Sequence, residues 1–134
     1  MNTPAAPKPV KPIGAYSPVR IIPIGTTKLV FISGLTSGGD APYDMGAQAE
    51  IVFARMNALL AEAGGDLSHL VKITTFLTDM RQYAAYNAVR NRIFGALGTP
   101  PPTSATVGTT QLVSPDAMIE IEGVAVIADP PPGG

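Results

Sequence analysis

A chain of 134 residues is about the size of one domain and can bury a continuous core without staples. With no cysteine and one histidine, it has no disulfide framework, no thiol nucleophile, no cysteine-ligated zinc and no multi-histidine metal site. A net charge of -1, with nine Lys and Arg residues scattered along the chain, provides no basic field for a phosphate backbone, so nucleic acid is not an expected partner.

Apolar residues make up 46% of the chain and charged residues 14%, which leaves little charged surface for a lone monomer and predicts self-association. No apolar run is long enough to cross a bilayer and the first residues carry no apolar signal region, so a cytoplasmic protein without a membrane partner is expected. Residues 1–12 and 129–134 are rich in proline and read as disordered tails around one domain spanning 13–128.

From Val19 to Gly34, two apolar runs flank a break at Gly25-Thr26-Thr27 and predict a hairpin. Met45, Ala49, Val52, Met56, Leu59, Leu60 and Ala63 recur at helical spacing and stop at Gly64-Gly65, a left-handed cap position; this predicts a helix of about five turns. Leu70 to Asp79 is rich in β-branched residues and predicts a strand. Arg81 to Leu97 then reads as a second helix that ends before Gly98 and the Pro100-Pro101-Pro102 run. Thr103 to Leu112 and the alternating segment Ala117 to Ile127 complete the order β-β-α-β-α-β-β.

Two helices, each with one apolar stripe, can cover one face of a mixed α+β sheet and leave the other open. In the last strand, Ile119, Ile121 and Ile127 point to one face. Met118, Glu120, Glu122, Val124 and Val126 point to the other, which is too apolar for a merely solvated surface and predicts an intersubunit contact.

Five segments taken together, IGAYSP (Ile13 to Pro18), LVFISG (Leu29 to Gly34), VKITTFLTDM (Val71 to Met80), YNAVRNRIFG (Tyr86 to Gly95) and IEIEGVAV (Ile119 to Val126), resemble the reactive intermediate deaminase (Rid, YjgF-like, L-PSP endoribonuclease-like) family. The resemblance covers Ile13 to Ile127 and implies a chorismate-mutase-like fold of the bacillus type: a mixed sheet with two helices on one face, assembled as a homotrimer with small-molecule clefts between subunits. It further implies cofactor-free and metal-free hydrolysis of enamines or imines to a carbonyl compound and ammonia.

The same resemblance implies site residues. Glu120 matches the cleft glutamate that would activate water, a role requiring hydrogen-bond reach of that water; Glu122 reads as lining the wet face or pairing with a neighbouring chain. Tyr16 either covers the ligand or anchors the N-terminal segment. Ser33 and Gly34 end a strand where a hydroxyl and bare backbone can approach a ligand, although Ser-Gly is also common strand-end punctuation. Asn87 matches a cleft asparagine on the second helix, or is simply a solvated helical residue.

The informative departure lies in PPTSATV (Pro101 to Val107), where deaminating members carry an arginine in a P-x-R-x-x-V pattern. Ser104 stands at the matching position, or Ala105 if the register shifts by one, and neither restores a cation. An arginine fork holds a carboxylate in a geometry serine cannot reproduce, and a charged hydrogen bond contributes about 1.5 to 3 kcal/mol. Efficient hydrolysis of aminoacrylate is therefore not expected from residue 104. Arg90, one turn beyond Asn87, and Arg20 read as solvated surface arginines, and His69 as a loop-packing histidine. The function expected is hydrolysis of an enamine, imine or related C–N substrate without metal or cofactor; the alternative is a non-catalytic small-molecule-binding trimer.

Overall fold

Residues 12–39 and 41–129 are described by the structure, a computed structural model. The tails assigned to 1–12 and 129–134 lie outside these residues except at Pro12 and Asp129. The Asp129 N–H donates to the Thr26 carbonyl at 2.8 Å, which continues the pairing of the last strand.

The hairpin forms from β1 (Val19–Ile24) and β2 (Thr27–Leu35), with Gly25 at φ +60° in the two-residue turn, a conformation costly for any residue with a Cβ. Helix α1 (Met45–Glu62) starts where the Asp44 carboxylate accepts from the Ala47 N–H at 2.9 Å. It ends at Gly64, φ +87°, where the Gly64 and Gly65 N–H groups return to the Ala61 and Leu60 carbonyls. The apolar stripe read from the sequence is the face that this helix buries.

Strand β3 (Leu70–Leu77) stops two residues short of the expected end because the Asp79 side chain caps a single 3-10 turn, Met80–Gln82, and so delays helix α2 to Tyr83–Gly95. Strand β4 (Thr103–Gly108) is shorter than the Thr-rich run because its partner β3 ends at Leu77, opposite Gly108; the Thr109 N–H then closes onto the Leu77 carbonyl at 2.9 Å. Strand β5 (Ile119–Ala128) is the longest strand.

The sheet order is β1-β2-β5-β3-β4, antiparallel throughout except for the β3–β4 pair, whose connection is α2. The chorismate-mutase-like expectation is corrected: that label came from resemblance alone, and periodicity, which specifies elements and faces, carries no information on which known fold joins strands in this order. The expected element order, by contrast, is the observed one.

Both helices lie on one face of the sheet. The odd-numbered residues of β5 from Ile119 to Ile127 are buried against them, while Glu120, Glu122, Val124 and Val126 occupy the open face. Phe53 of α1 joins the helices, stacked 6.4 Å from Tyr86 and edge-on to Phe94 at 5.4 Å. Gly123 lets α1 approach, since a Cβ there would lie 2.9 Å from the Met56 methyl and 3.3 Å from the Lys72 carbonyl.

One polar residue interrupts the buried stripe of α1. Gln48, 1% exposed, donates from Nε2 to the carbonyls of Pro42 and Asp116 and accepts the Met118 N–H on Oε1 at 2.8 Å. It therefore staples the segment before α1 to the loop before β5 and satisfies the buried Met118 N–H. Gln48→Leu keeps the volume but leaves these groups without partners. We expect a loss of about 2 to 4 kcal/mol, read as a lower midpoint in urea unfolding.

Candidate functional site

Strand β2 changes register against β5 between Ile32 and Leu35, so Ser33 and Gly34 form a bulge where two residues oppose one. The bulge brings bare backbone beneath Glu120: a Cβ on Gly34 would lie 2.7 Å from Glu120 Oε2 and 2.8 Å from its Cδ. Gly34 is thus needed for space rather than for its dihedral freedom. The half-buried Glu120 carboxyl is held above the usual carboxylate range, first by desolvation and then by repulsion from Glu122 two residues along the same face.

Glu120, Gly34 and the half-exposed Tyr16 line one groove of about 330 Å³, together with Thr36, Ser114 and Arg55 from α1. Ser33 is not part of it. Its hydroxyl donates to the Ser17 carbonyl at 2.5 Å and its N–H to the Pro18 carbonyl at 2.9 Å, pinning the segment that carries Tyr16; it lines a separate depression that includes Glu122.

The remaining candidates gather elsewhere. Ser104 pairs in register with Ile73, and Ile73 is buried under the helices, so Ser104 shares the helix-side face with Thr106. Ala105 pairs with Thr74 and faces the opposite way, which separates the two registers left open by the sequence. Asn87 meets Ser104 only through Arg90. The Arg90 guanidinium donates to Ser104 Oγ (2.9 Å), Tyr83 OH (2.7 Å) and Asn87 Oδ1 (2.6 Å), and lies 5.1 Å from the Tyr86 ring centroid. Tyr86 is itself fixed by a buried 2.7 Å hydrogen bond between its hydroxyl and that of Thr75.

Within one chain, then, Tyr16, Gly34 and Glu120 form one group and Asn87, Ser104 and Arg90 another, on opposite faces of the sheet. Arg90 is not the solvated arginine expected but is half-buried; its place one turn from Asn87 on α2 was legible in the spacing, whereas its burial and its contact with β4 were not. His69 closes a 3-10 turn, Leu67–His69, and packs back on its start, its Nδ1 accepting the Asp66 N–H at 3.1 Å. Among the described residues no group of three or more His, Cys, Asp or Glu could hold a metal, and no helix is long and apolar enough to cross a membrane.

Residues 5–127 match the family profile described as Endoribonuclease L-PSP. The chain is 36% identical over 121 residues to Protein DfrA of Myxococcus xanthus, covering 87% of this chain and 88% of that protein. It is 30% identical over 132 residues to the 2-iminobutanoate/2-iminopropanoate deaminase of Dermatophagoides farinae, covering 95% and 94%. It superposes on the crystal structure of Escherichia coli TdcF with bound serine with a TM-score of 0.78 at 28% identity, over 93% of this chain and 97% of that one. Such superpositions establish the RidA/YjgF (endoribonuclease L-PSP) fold and overturn the chorismate-mutase-like expectation. A family profile spanning almost every described residue, together with relatives matched over most of their length, places the chain in the RidA/YjgF (endoribonuclease L-PSP, reactive intermediate deaminase) family.

Proposed function

We propose that the chain hydrolyses a small imine or enamine to a carbonyl compound and ammonia, with Glu120 as the acid-base group, in a cleft between subunits of a homotrimer. The observation that carries this reading is the placement of the Glu120 carboxyl over Gly34 at a strand bulge, half-buried and with raised proton affinity. A carboxylate so placed takes a proton from water as its oxygen adds to the C=N carbon. The proton returns to nitrogen, and collapse of the carbinolamine releases ammonia. An enamine reaches the same path after protonation at carbon. Atoms balance with water as the sole co-reactant.

The intersubunit location is supported by two observations. The candidate residues form two incomplete groups on one chain, and the open sheet face that carries Glu120 also exposes Phe31 (44%), Val107 (44%) and Val126 (40%), apolar area suited to burial by another copy. Ser104 carries no charge, so efficient hydrolysis of an anionic substrate such as aminoacrylate requires a cation from a residue other than 104.

Ammonia release from enzymatically generated imines tests the chemistry. Glu120→Gln is expected to lower the rate about a hundredfold or more, and Glu122→Gln much less. No turnover above background by the wild type would leave a binding protein instead. Gly34→Ala displaces the flexible Glu120 side chain rather than backbone, so its rate is expected to fall about tenfold to a hundredfold while the melting temperature stays within a few degrees of wild type.

The same carboxyl predicts a pH dependence of stability. Its folded-state pKa lies above the unfolded value of about 4.5, so the folded state binds the proton more tightly; the contribution is complete at low pH and is lost as pH rises through the folded value. The melting temperature of Glu120→Gln relative to wild type is therefore expected to increase between pH 4 and pH 7 in parallel thermal scans.

A further inference from the structure

The groove that holds Glu120 also holds a cation. Arg55 reaches it from α1, partly buried and one position before the buried Met56. Its guanidinium lies against the backbone of residues 36–38: a Cβ on Gly38 would stand 2.9 Å from Nη2 and 3.5 Å from Cζ, and Gly38 is itself at φ +84°. Two separate constraints therefore keep residue 38 a glycine, and one of them is the room that Arg55 occupies.

This arginine is held by packing and not by acceptors. Arg81 and Arg92 donate to Asp79 and Glu50, and Arg90 to Ser104, Tyr83 and Asn87, whereas none of the hydrogen bonds and ion pairs among the described residues includes the Arg55 guanidinium. Its Nε is buried without an acceptor, and the hydroxyl of Ser37, a residue 4% exposed beside Gly38 in the chain, is buried without a partner. Buried donors in folded proteins are nearly always satisfied, so a charged one left over marks a place where an acceptor belongs. Glu120 is not that acceptor. A guanidinium in contact would pull its proton affinity down, and the carboxyl is instead held up by burial and by Glu122.

We propose that Arg55 binds an oxyanion: the groove takes a small ligand whose phosphate or carboxylate group meets the guanidinium beside the hydroxyls of Thr36 and Ser114, with any apolar part against Ile13 and Val113 at the exposed rim. A guanidinium fork flanked by O–H donors matches the oxygens of either group. The volume of about 330 Å³ lies at the small end of ligand sites, which restricts the occupant to a compact anion. Arg55 lines a different groove from Arg90, and the inference does not rest on imine hydrolysis.

Nuclear magnetic resonance titration of the full-length, isotope-labelled protein with inorganic phosphate, with acetate and with neutral acetamide, at constant ionic strength, reads the site through the Arg55 Nε–H and Gly38 amide signals. At least one of the two anions is expected to shift both signals saturably, and acetamide neither. Whichever of phosphate and acetate binds more tightly identifies the source of the oxyanion. Arg55→Gln, followed at the Gly38 amide, should weaken that anion about tenfold or more, and Arg55→Lys, which keeps the charge but not the fork, should fall between. Arg92→Gln removes an equal charge from an exposed position and should leave the affinity within about twofold of wild type. Circular dichroism confirms that each variant is folded, and the comparison of anions with acetamide needs the wild type alone. No saturable shift with either anion, an equal response to acetamide, or an Arg55→Gln variant that binds like wild type overturns the inference even if Glu120-dependent ammonia release stands. Absence of ammonia release alongside Arg55-dependent anion binding removes the hydrolase reading and leaves this one in place.

Discussion

Everything in this molecule is arranged around β5, which pairs with β2 on one side and β3 on the other and therefore has to satisfy two ladders and two faces at once. Its period of two sends Ile119, Ile121, Ala125 and Ile127 into the helices and leaves no odd position for a charge, with Gly123 making room for Met56. A one-residue slip would bury Glu120 and Glu122 beneath α1, at a cost far exceeding the stability of a domain this size, so the position of the candidate carboxylate follows from the position of the core.

That register alone does not make Glu120 different from Glu122. Both carboxylates lie on the open face, but Glu120 is half-buried and Glu122 is exposed. The difference comes from the bulge. By inserting one extra residue opposite Glu122, β2 turns Gly34 toward Glu120 and sets bare backbone against its carboxylate, while Glu122 stays exposed. Desolvation raises the proton affinity of Glu120, and repulsion from Glu122 adds to it. A carboxyl kept above the usual carboxylate range costs the fold something at neutral pH, and acid-base work is the natural use of such a group.

The parts of this arrangement that were legible from residues alone are those governed by one element at a time. The stripe of α1, the Gly64 cap, the Gly25 turn and the faces of β5 follow from local periodicity and backbone preference, and they are where expected. Element ends shifted where a neighbour intervened: β4 stops because β3 stops, and α2 starts late because Asp79 caps a turn of its own. Gln48 was passed over because a polar residue within an apolar stripe reads as an interruption; its three backbone partners, at Pro42, Asp116 and Met118, come from two segments distant in sequence from each other. Arg90 was read as surface for the same reason. Spacing showed it one turn from Asn87, but nothing local could place its far end on Ser104, 14 residues away across the α2–β4 connection. The choice between Ser104 and Ala105 likewise needed the parallel pairing with β3, which sets one on the helix side and the other on the open face.

Position 104 carries no charge of its own, but α2 brings one beside it, since Arg90 donates to Ser104 Oγ at 2.9 Å. The Arg90 guanidinium is buttressed by the Tyr83 and Tyr86 rings and spans to the strand through its own length. An arginine at 104 would set a second cation beside the first and remove the oxygen that orients it. Arg90 and Glu120 also lie on opposite faces of the same sheet and line different grooves of one chain. Under the proposed chemistry a cleft that uses both faces has to be completed by a second copy, and the sparse charge of the chain and the apolar residues of its open face suit such assembly.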